Sequence, residues 1–438
     1  MTDPTLGAAG IPGRAFLSAW HRSDDCGIPA GQAKIQMVIV VKRIVQPWFA
    51  VALLALAAIC SAQSASVNDD QRQAAIVSEQ QGLYSEAEAA WHAVLKTHPA
   101  DSEAYAHLGF LEAQQGRYSE AVLLYRKALA LDPSMPSLRL NLGLSLFKAG
   151  ALKEAADTFM PLLEGQPSSS PEALRLTTLI GLARYGSGEY DAAVPFLKQA
   201  TAADPQNLPF RLTLAHSCLW SKQYQCVLDV YHQILMLNAE SAEADMLAGE
   251  ALDEMKDKAG ATVQFRAAVK ADPKEPNVHF GLGYLLWGLL QLDEAAQEFQ
   301  AELDNNPEHA QALTYLADCR MKVNKPEGAI ALLEKAIRID PSIGLAHLDL
   351  GILFGDAGRS NDALRELKIA VKLEPDDQNV HWRLARFYKA AGRNEEATLE
   401  FEKTKSLQKA SDQTIMRKLH EAQAGKPAAE DPNAPLDK

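Results

Sequence analysis

The chain has 438 residues, 47% apolar and 23% charged, with 56 acidic against 43 basic side chains and a formal net charge of −13. Such a balance excludes a wholly disordered or membrane-embedded chain. With no Lys/Arg run interleaved with aromatics, it also argues against a nucleic-acid partner, and the excess acid reads as a solvated surface that keeps an elongated molecule soluble.

Residues 1–36 are rich in Gly, Pro and Ala and show no helical or strand period. They read as a disordered leader, or as an extension ahead of a true start at Met37. From Met37 the pattern is that of a secretory signal peptide over 37–62: Lys42 and Arg43 first, then an apolar run from Trp48 to Cys60, then the small Ala62. The expectation is an exported protein, periplasmic or extracellular, maturing near Gln63 with a short lead to residue 67. Counted from Ile44, the apolar segment is long enough to keep open an uncleaved inner-membrane anchor at 44–60, a membrane tether. Ile59, bulky and directly before Cys60, departs from the small residue of bacterial lipoprotein signals.

From residue 68 the sequence repeats. Ser102 to Met135 reads as two amphipathic helices joined at Gly116 and stopped at Asp132-Pro133. Shifting by 34 residues brings the pattern back, with prolines at Pro99, Pro133 and Pro167, then, after a four-residue slip, at Pro205, Pro273, Pro307, Pro341 and Pro375. Ala239 fills the vacant slot. A fixed period of this length predicts a solenoid. Units start near 68, 102, 136, 174, 208, 242, 276, 310, 344 and 378 and fill 68–411. At the slip, Ser170 before Pro171 is a cap followed by a proline at the first helical position, so the next helix should begin early.

Inside the units, a small residue recurs in each first helix (Gly109, Gly143, Gly181, Gly249, Gly283, Gly351) and faces, by expectation, a small column in the second (Ala121, Ala155, Ala193, Ala261, Ala295, Ala363). Four residues later comes a bulky one, such as Tyr125, Phe159 or Phe299, expected to fill the gap between repeats. Glycine marks most turns, but Lys222, Lys256, Leu290 and Asn324 replace it mid-array, which predicts less regular turns there. Residues 412–424 read as a polar capping helix and 425–438 as a disordered tail.

The columns Tyr105, Leu108, Gly109, Ala121, Tyr125 and Pro133 resemble the tetratricopeptide repeat family, and the resemblance recurs in register across 68–411. It implies an all-α, right-handed superhelical solenoid of about ten helix-turn-helix repeats, whose first helices line a concave face across which ligands lie. On that basis the groove would be built by Leu140, Leu144, Phe147, Leu182, Tyr185, Leu212, His216, Leu219 and Trp220. It would continue through the acidic Glu250, Asp253 and Glu254, the aromatic Phe280, Tyr284 and Trp287, and the basic Arg383, Arg386 and Lys389. The basic clamp that some family members use for acidic peptides does not carry over, because Arg72, Asn141 and Lys148 are scattered among apolar neighbours.

No catalytic, cofactor or metal motif is complete. Ser145-Leu-Phe-Lys148 lacks its partner motifs, and Gly281-Leu-Gly283 lacks a third glycine and a preceding strand. His279, His347 and His381 share one column, but packed helices stand too far apart for all three to reach one ion. Cys218 and Cys226 flank the turn at Lys222 and are either a disulfide or two separate thiols. The expected function is a non-enzymatic scaffold that binds a peptide or protein segment in its groove. The alternative is an enzyme-associated or carbohydrate-binding envelope protein that stacks sugars on Trp220 and Trp287.

Overall fold

The computed structural model describes residues 67–237 and 240–424. The leader, the signal sequence or anchor, Ala239 and the tail at 425–438 lie outside the described residues. Among the described residues there are twenty helices and no strand. They pair as ten hairpins: α1 (Val67–Gln80) with α2 (Tyr84–Thr97), α3 (Ser102–Gln114) with α4 (Tyr118–Leu131), and α5 (Pro136–Lys148) with α6 (Leu152–Glu164). Next come α7 (Pro171–Gly186) with α8 (Tyr190–Ala203), α9 (Leu208–Trp220) with α10 (Tyr224–Met236), and α11 (Ala242–Glu254) with α12 (Lys258–Ala271). The last four are α13 (Val278–Gly288) with α14 (Leu292–Asn305), α15 (Ala310–Lys322) with α16 (Ala329–Ile339), α17 (Gly344–Asp356) with α18 (Ser360–Leu373), and α19 (Gln378–Ala390) with α20 (Asn394–Ala424).

The hairpins form two compact units, one ending at Pro276 and one beginning at Asn277. The first holds α1–α12 and the second α13–α20. The four-residue surplus falls inside the first unit. There α7 runs 16 residues against 13 in α5 and α9. Its start is fixed by Ser170, whose Oγ accepts the Ala173 N–H at 3.0 Å, with Pro171 as the first helical residue.

The turn inside each hairpin uses one geometry. At Gly116 (φ 77°) the N–H of Gly116 reaches the Ala113 carbonyl, and that of Arg117 reaches the Glu112 carbonyl. This pair of bonds ends a helix through a left-handed residue. Lys222 makes the same pair, from its own N–H to Leu219 and from Gln223 to Cys218. The expectation of less regular turns mid-array is therefore corrected. Lys222, Lys256, Leu290 and Asn324 adopt φ of 60°, 70°, 60° and 56°, so the geometry is kept and the side chains carry the strain.

The packing rule inside a hairpin also differs from expectation. A Cβ added to Gly143 would come within 2.4 Å of the Phe159 ring, and one on Gly109 within 2.9 Å of the Tyr125 ring. The first-helix glycine is thus a notch for the bulky residue of its own second helix, not for the alanine column. Tyr125, Phe159, Phe265 and Phe299 are accordingly sealed inside the hairpins. This offsets the helix propensity lost at glycine, about 1 kcal/mol per site.

At the end of the chain, α20 is a single helix of 31 residues, so the second helix of the last hairpin and the expected cap at 412–424 are continuous. Ile415 and Met416 remain more than half exposed rather than covering an apolar face.

Candidate functional site: the inner faces of the first helices

Each first helix packs against its own second helix and, except for α1 and α13, which open the two units, against the second helix of the preceding hairpin. That double cover decides which of the proposed groove residues are free. Leu144, Phe147, Leu182, Leu212, Leu219, Glu250, Phe280 and Tyr284 are all under 9% exposed. For these eight the groove assignment is corrected: they are held within the packing of each unit. Leu140, Tyr185, His216, Trp220, Asp253, Glu254, Trp287 and Arg383 are partly open, and Arg386 and Lys389 are exposed.

In the first unit the open residues converge on α7–α11. The Tyr185 and Trp220 rings stack with centroids 5.8 Å apart, while Tyr190 and His216 lie 4.5 and 5.0 Å from Trp220. His216 Nε2 is 2.7 Å from a carboxylate oxygen of Glu243. Burial opposes ionisation of Glu243, yet the hydrogen bond and attraction of His216 hold its carboxyl below the ordinary glutamate range. Burial also pushes the Tyr185 phenol up, so it stays protonated. Beside Trp220 an open depression of about 590 Å³ is lined by Arg184, Glu189, Tyr190, Asp191 and Ser221. Cys218 and Cys226 are joined by a disulfide, Cα atoms 5.8 Å apart, which ties together the two ends of the turn next to Trp220.

The acidic stretch of α11 is less open than its sequence suggests. Burial first, then the nearby Glu254 and Asp253, push the Glu250 carboxyl well above the usual range, which favours its neutral form. Asp253 is paired with Lys258.

In the second unit, Tyr284, Trp287 and Tyr315 form an aromatic cluster, Trp287 lying 5.8 and 5.0 Å from the other two. The Trp287 indole N–H donates to Asp318 at 2.5 Å, and Asp318 pairs with Lys322. Arg383 and Arg386 bracket Trp382, their guanidinium carbons 5.1 and 4.8 Å from its ring centre. The column of His279, His347 and His381 is structural. Each Nδ1 meets a glutamate nineteen residues on, Glu298, Glu366 and Glu400, at 2.6, 2.7 and 2.5 Å.

Sequence reasoning missed Tyr190, Glu243, Tyr315, Asp318, Lys322 and Trp382. The repeat itself could have found Asp318, which stands 34 residues after Tyr284 and 68 after Glu250 in the same column. Tyr190 opens a second helix in the same column as Tyr84, Tyr118 and Tyr224, outside the first helices to which the groove was assigned. Among the described residues no cluster of His, Cys, Asp or Glu is suited to hold a metal ion, and no helix is long and apolar enough to cross a membrane.

Two sequence profiles of the tetratricopeptide repeat match the chain, one over residues 73–136, 280–342 and 348–409 and the other over 112–180 and 184–247. The chain belongs to the tetratricopeptide repeat family. Among curated relatives, this tetratricopeptide repeat protein is 33% identical over 78 residues to the peroxisomal targeting signal receptor of Yarrowia lipolytica (strain CLIB 122 / E 150), a match covering 18% of this chain and 13% of that protein. It is 24% identical over 161 residues to tetratricopeptide repeat protein 8 of Caenorhabditis elegans, covering 36% of this chain and 32% of that one. The chain thus spans about a third or less of either relative. Similar solved structures include the APC/C hetero-tetramer Cut9–Hcn1 (12% identity, 82% of this chain and 89% of that chain, TM-score 0.40) and yeast Tom70 (14%, 82% and 96%, TM-score 0.36).

Proposed function

We propose that this chain is a non-catalytic scaffold that binds an extended or helical segment of another protein along the inner faces of its first helices. The observation that carries the reading is the partly open aromatic group of Tyr185, Tyr190, His216 and Trp220. Tyr190 and Trp220 line an open depression, and Tyr185 and His216 pack against Trp220. Aromatic anchors set in a concave, pre-formed surface are what such segments use for binding energy. Family membership supports the same reading, and one relative is by name a receptor for a targeting signal.

We further propose that the protein acts outside the cytoplasm, on the strength of the signal-like segment at 37–62. Affinity capture from a cell-envelope fraction tests both parts. Protein partners recovered by the wild type and lost with Trp220→Ala support the scaffold. Retention on a polysaccharide column with no protein recovered favours sugar stacking instead. Recovery of the native protein solely from the cytoplasm, with residues 37–62 intact, removes the export part.

A further inference from the structure

The first helices of the second unit hold a polar cluster apart from the Trp220 group. Trp287 of α13 is partly open and Lys322 of α15 exposed, and both contact Asp318, which is 5% exposed. The Lys322 ammonium sits 4.4 Å from the centre of the Trp287 ring and pairs with Asp318. A cation is therefore held by a carboxylate and an aromatic face together, a combination that selects ammonium and guanidinium groups. Lys322 is a poorly committed occupant. Its side chain is 39% exposed, so its ammonium is open to water on one side while Asp318 is not.

The next first helix carries a second carboxyl. Asp349 of α17 is only 4% exposed, and its Oδ2 has no hydrogen-bond partner. An orphaned buried acceptor is costly, and it calls for a donor. Burial, then the charge of Asp318, push the Asp349 carboxyl well above the usual carboxylate range, against the pull of Lys322 and, from α19, Arg383. The cluster thus offers acceptors and the partly open Trp287 ring, against which Tyr284 and Tyr315 pack. Too few ligating groups converge for a metal ion. An anionic side chain would meet the Asp318 carboxylate, whereas a basic one suits both that carboxylate with its Trp287 neighbour and a chain of net charge −13.

We propose that this cluster binds a lysine or arginine side chain of the bound polypeptide segment. Its cationic head takes the place of Lys322 against Trp287 and Asp318 and donates to the free oxygen of Asp349. The inference rests on the reading that the inner faces bind a polypeptide, and it adds the chemistry of one contact.

Selection from a displayed library of random twelve-residue peptides on the full-length chain tests it, with the helix content of each variant checked by circular dichroism. Peptides selected by the wild type should carry Lys or Arg at one fixed position. That preference should fall at least tenfold with Asp318→Asn while other positions of the selected motif persist. Lys322→Ala, which removes the competing cation, should strengthen it, and this variant decides the matter if Asp318→Asn does not fold. Selected peptides with no basic preference, or with one unchanged by either substitution, would overturn the proposed contact and leave the scaffold reading standing. A wild type that selects no peptide at all overturns both.

Discussion

At the scale of single residues, the glycine notches make the sharpest claim. A methyl group on Gly143 would lie 2.4 Å from the Phe159 ring, so Gly143→Ala should destabilise by about 1–3 kcal/mol in denaturant titration, despite alanine's better helix propensity. Leu290 is the opposite case. It is 74% exposed and held at φ 60°, so Leu290→Gly should raise stability, by up to about 1 kcal/mol. His309 links stability to pH. Its Nδ1 accepts the Ala312 N–H and its Nε2 meets Asn277 Oδ1, and burial lowers its pKa to about 4. An unfolded histidine takes up its proton near pH 6.5, and the folded one does not. Stability from this group is therefore full above about pH 6.5 and is lost as the pH falls toward 4. Between pH 7 and 4.5 the loss should be about 2 kcal/mol more in the wild type than in His309→Asn, compared by urea titration. Tyr284 shows why groove residues were hard to read. It occupies a groove column, yet the neighbouring helices bury it to 7% exposure, and burial on a solenoid's inner face depends on neighbours that periodicity does not size.

At the scale of elements, the hairpins were legible because their signals are local. Prolines after the second helices, the left-handed turns and the Ser170–Pro171 start are each written within a few residues, and the structure uses them. What was not legible depends on residues far apart in sequence, such as which ring fills which notch, or that Lys222 could carry a glycine's geometry. The helix at 412–424 was legible, and with no breaker near residue 411 it runs on from the last hairpin as part of α20. The Cys218–Cys226 bridge ties the turn between α9 and α10. Replacing both cysteines with serine should cost about 2–3 kcal/mol, the scale expected for so short a loop. Peptide mapping under non-reducing conditions provides the companion check: a peptide containing both residues linked is expected, and two free thiols in freshly isolated protein would contradict it. The His–Glu rungs predict a different loss. Glu366→Ala strips His347, 4% exposed, of one of its two partners and should cost about 1–3 kcal/mol, whereas a surface glutamate such as Glu402 should tolerate alanine within about 0.5 kcal/mol.

At the scale of the whole molecule, function and stability draw on different residues of the same helices. Repeats are held by contacts with their neighbours, so the core columns carry the fold, and the inner-face side chains left partly open are available for binding. The measurement that tests this division most directly is equilibrium binding and thermal melting on the same variants, with a peptide selected by the wild-type chain as ligand. Trp220→Ala should weaken binding at least tenfold and lower the melting temperature less than Gly143→Ala does, while Gly143→Ala should lower melting and, below its transition, leave affinity within about threefold. A Trp220→Ala protein that binds as tightly as the wild type, or melts as early as Gly143→Ala, would contradict the assignment of the inner aromatic face to binding.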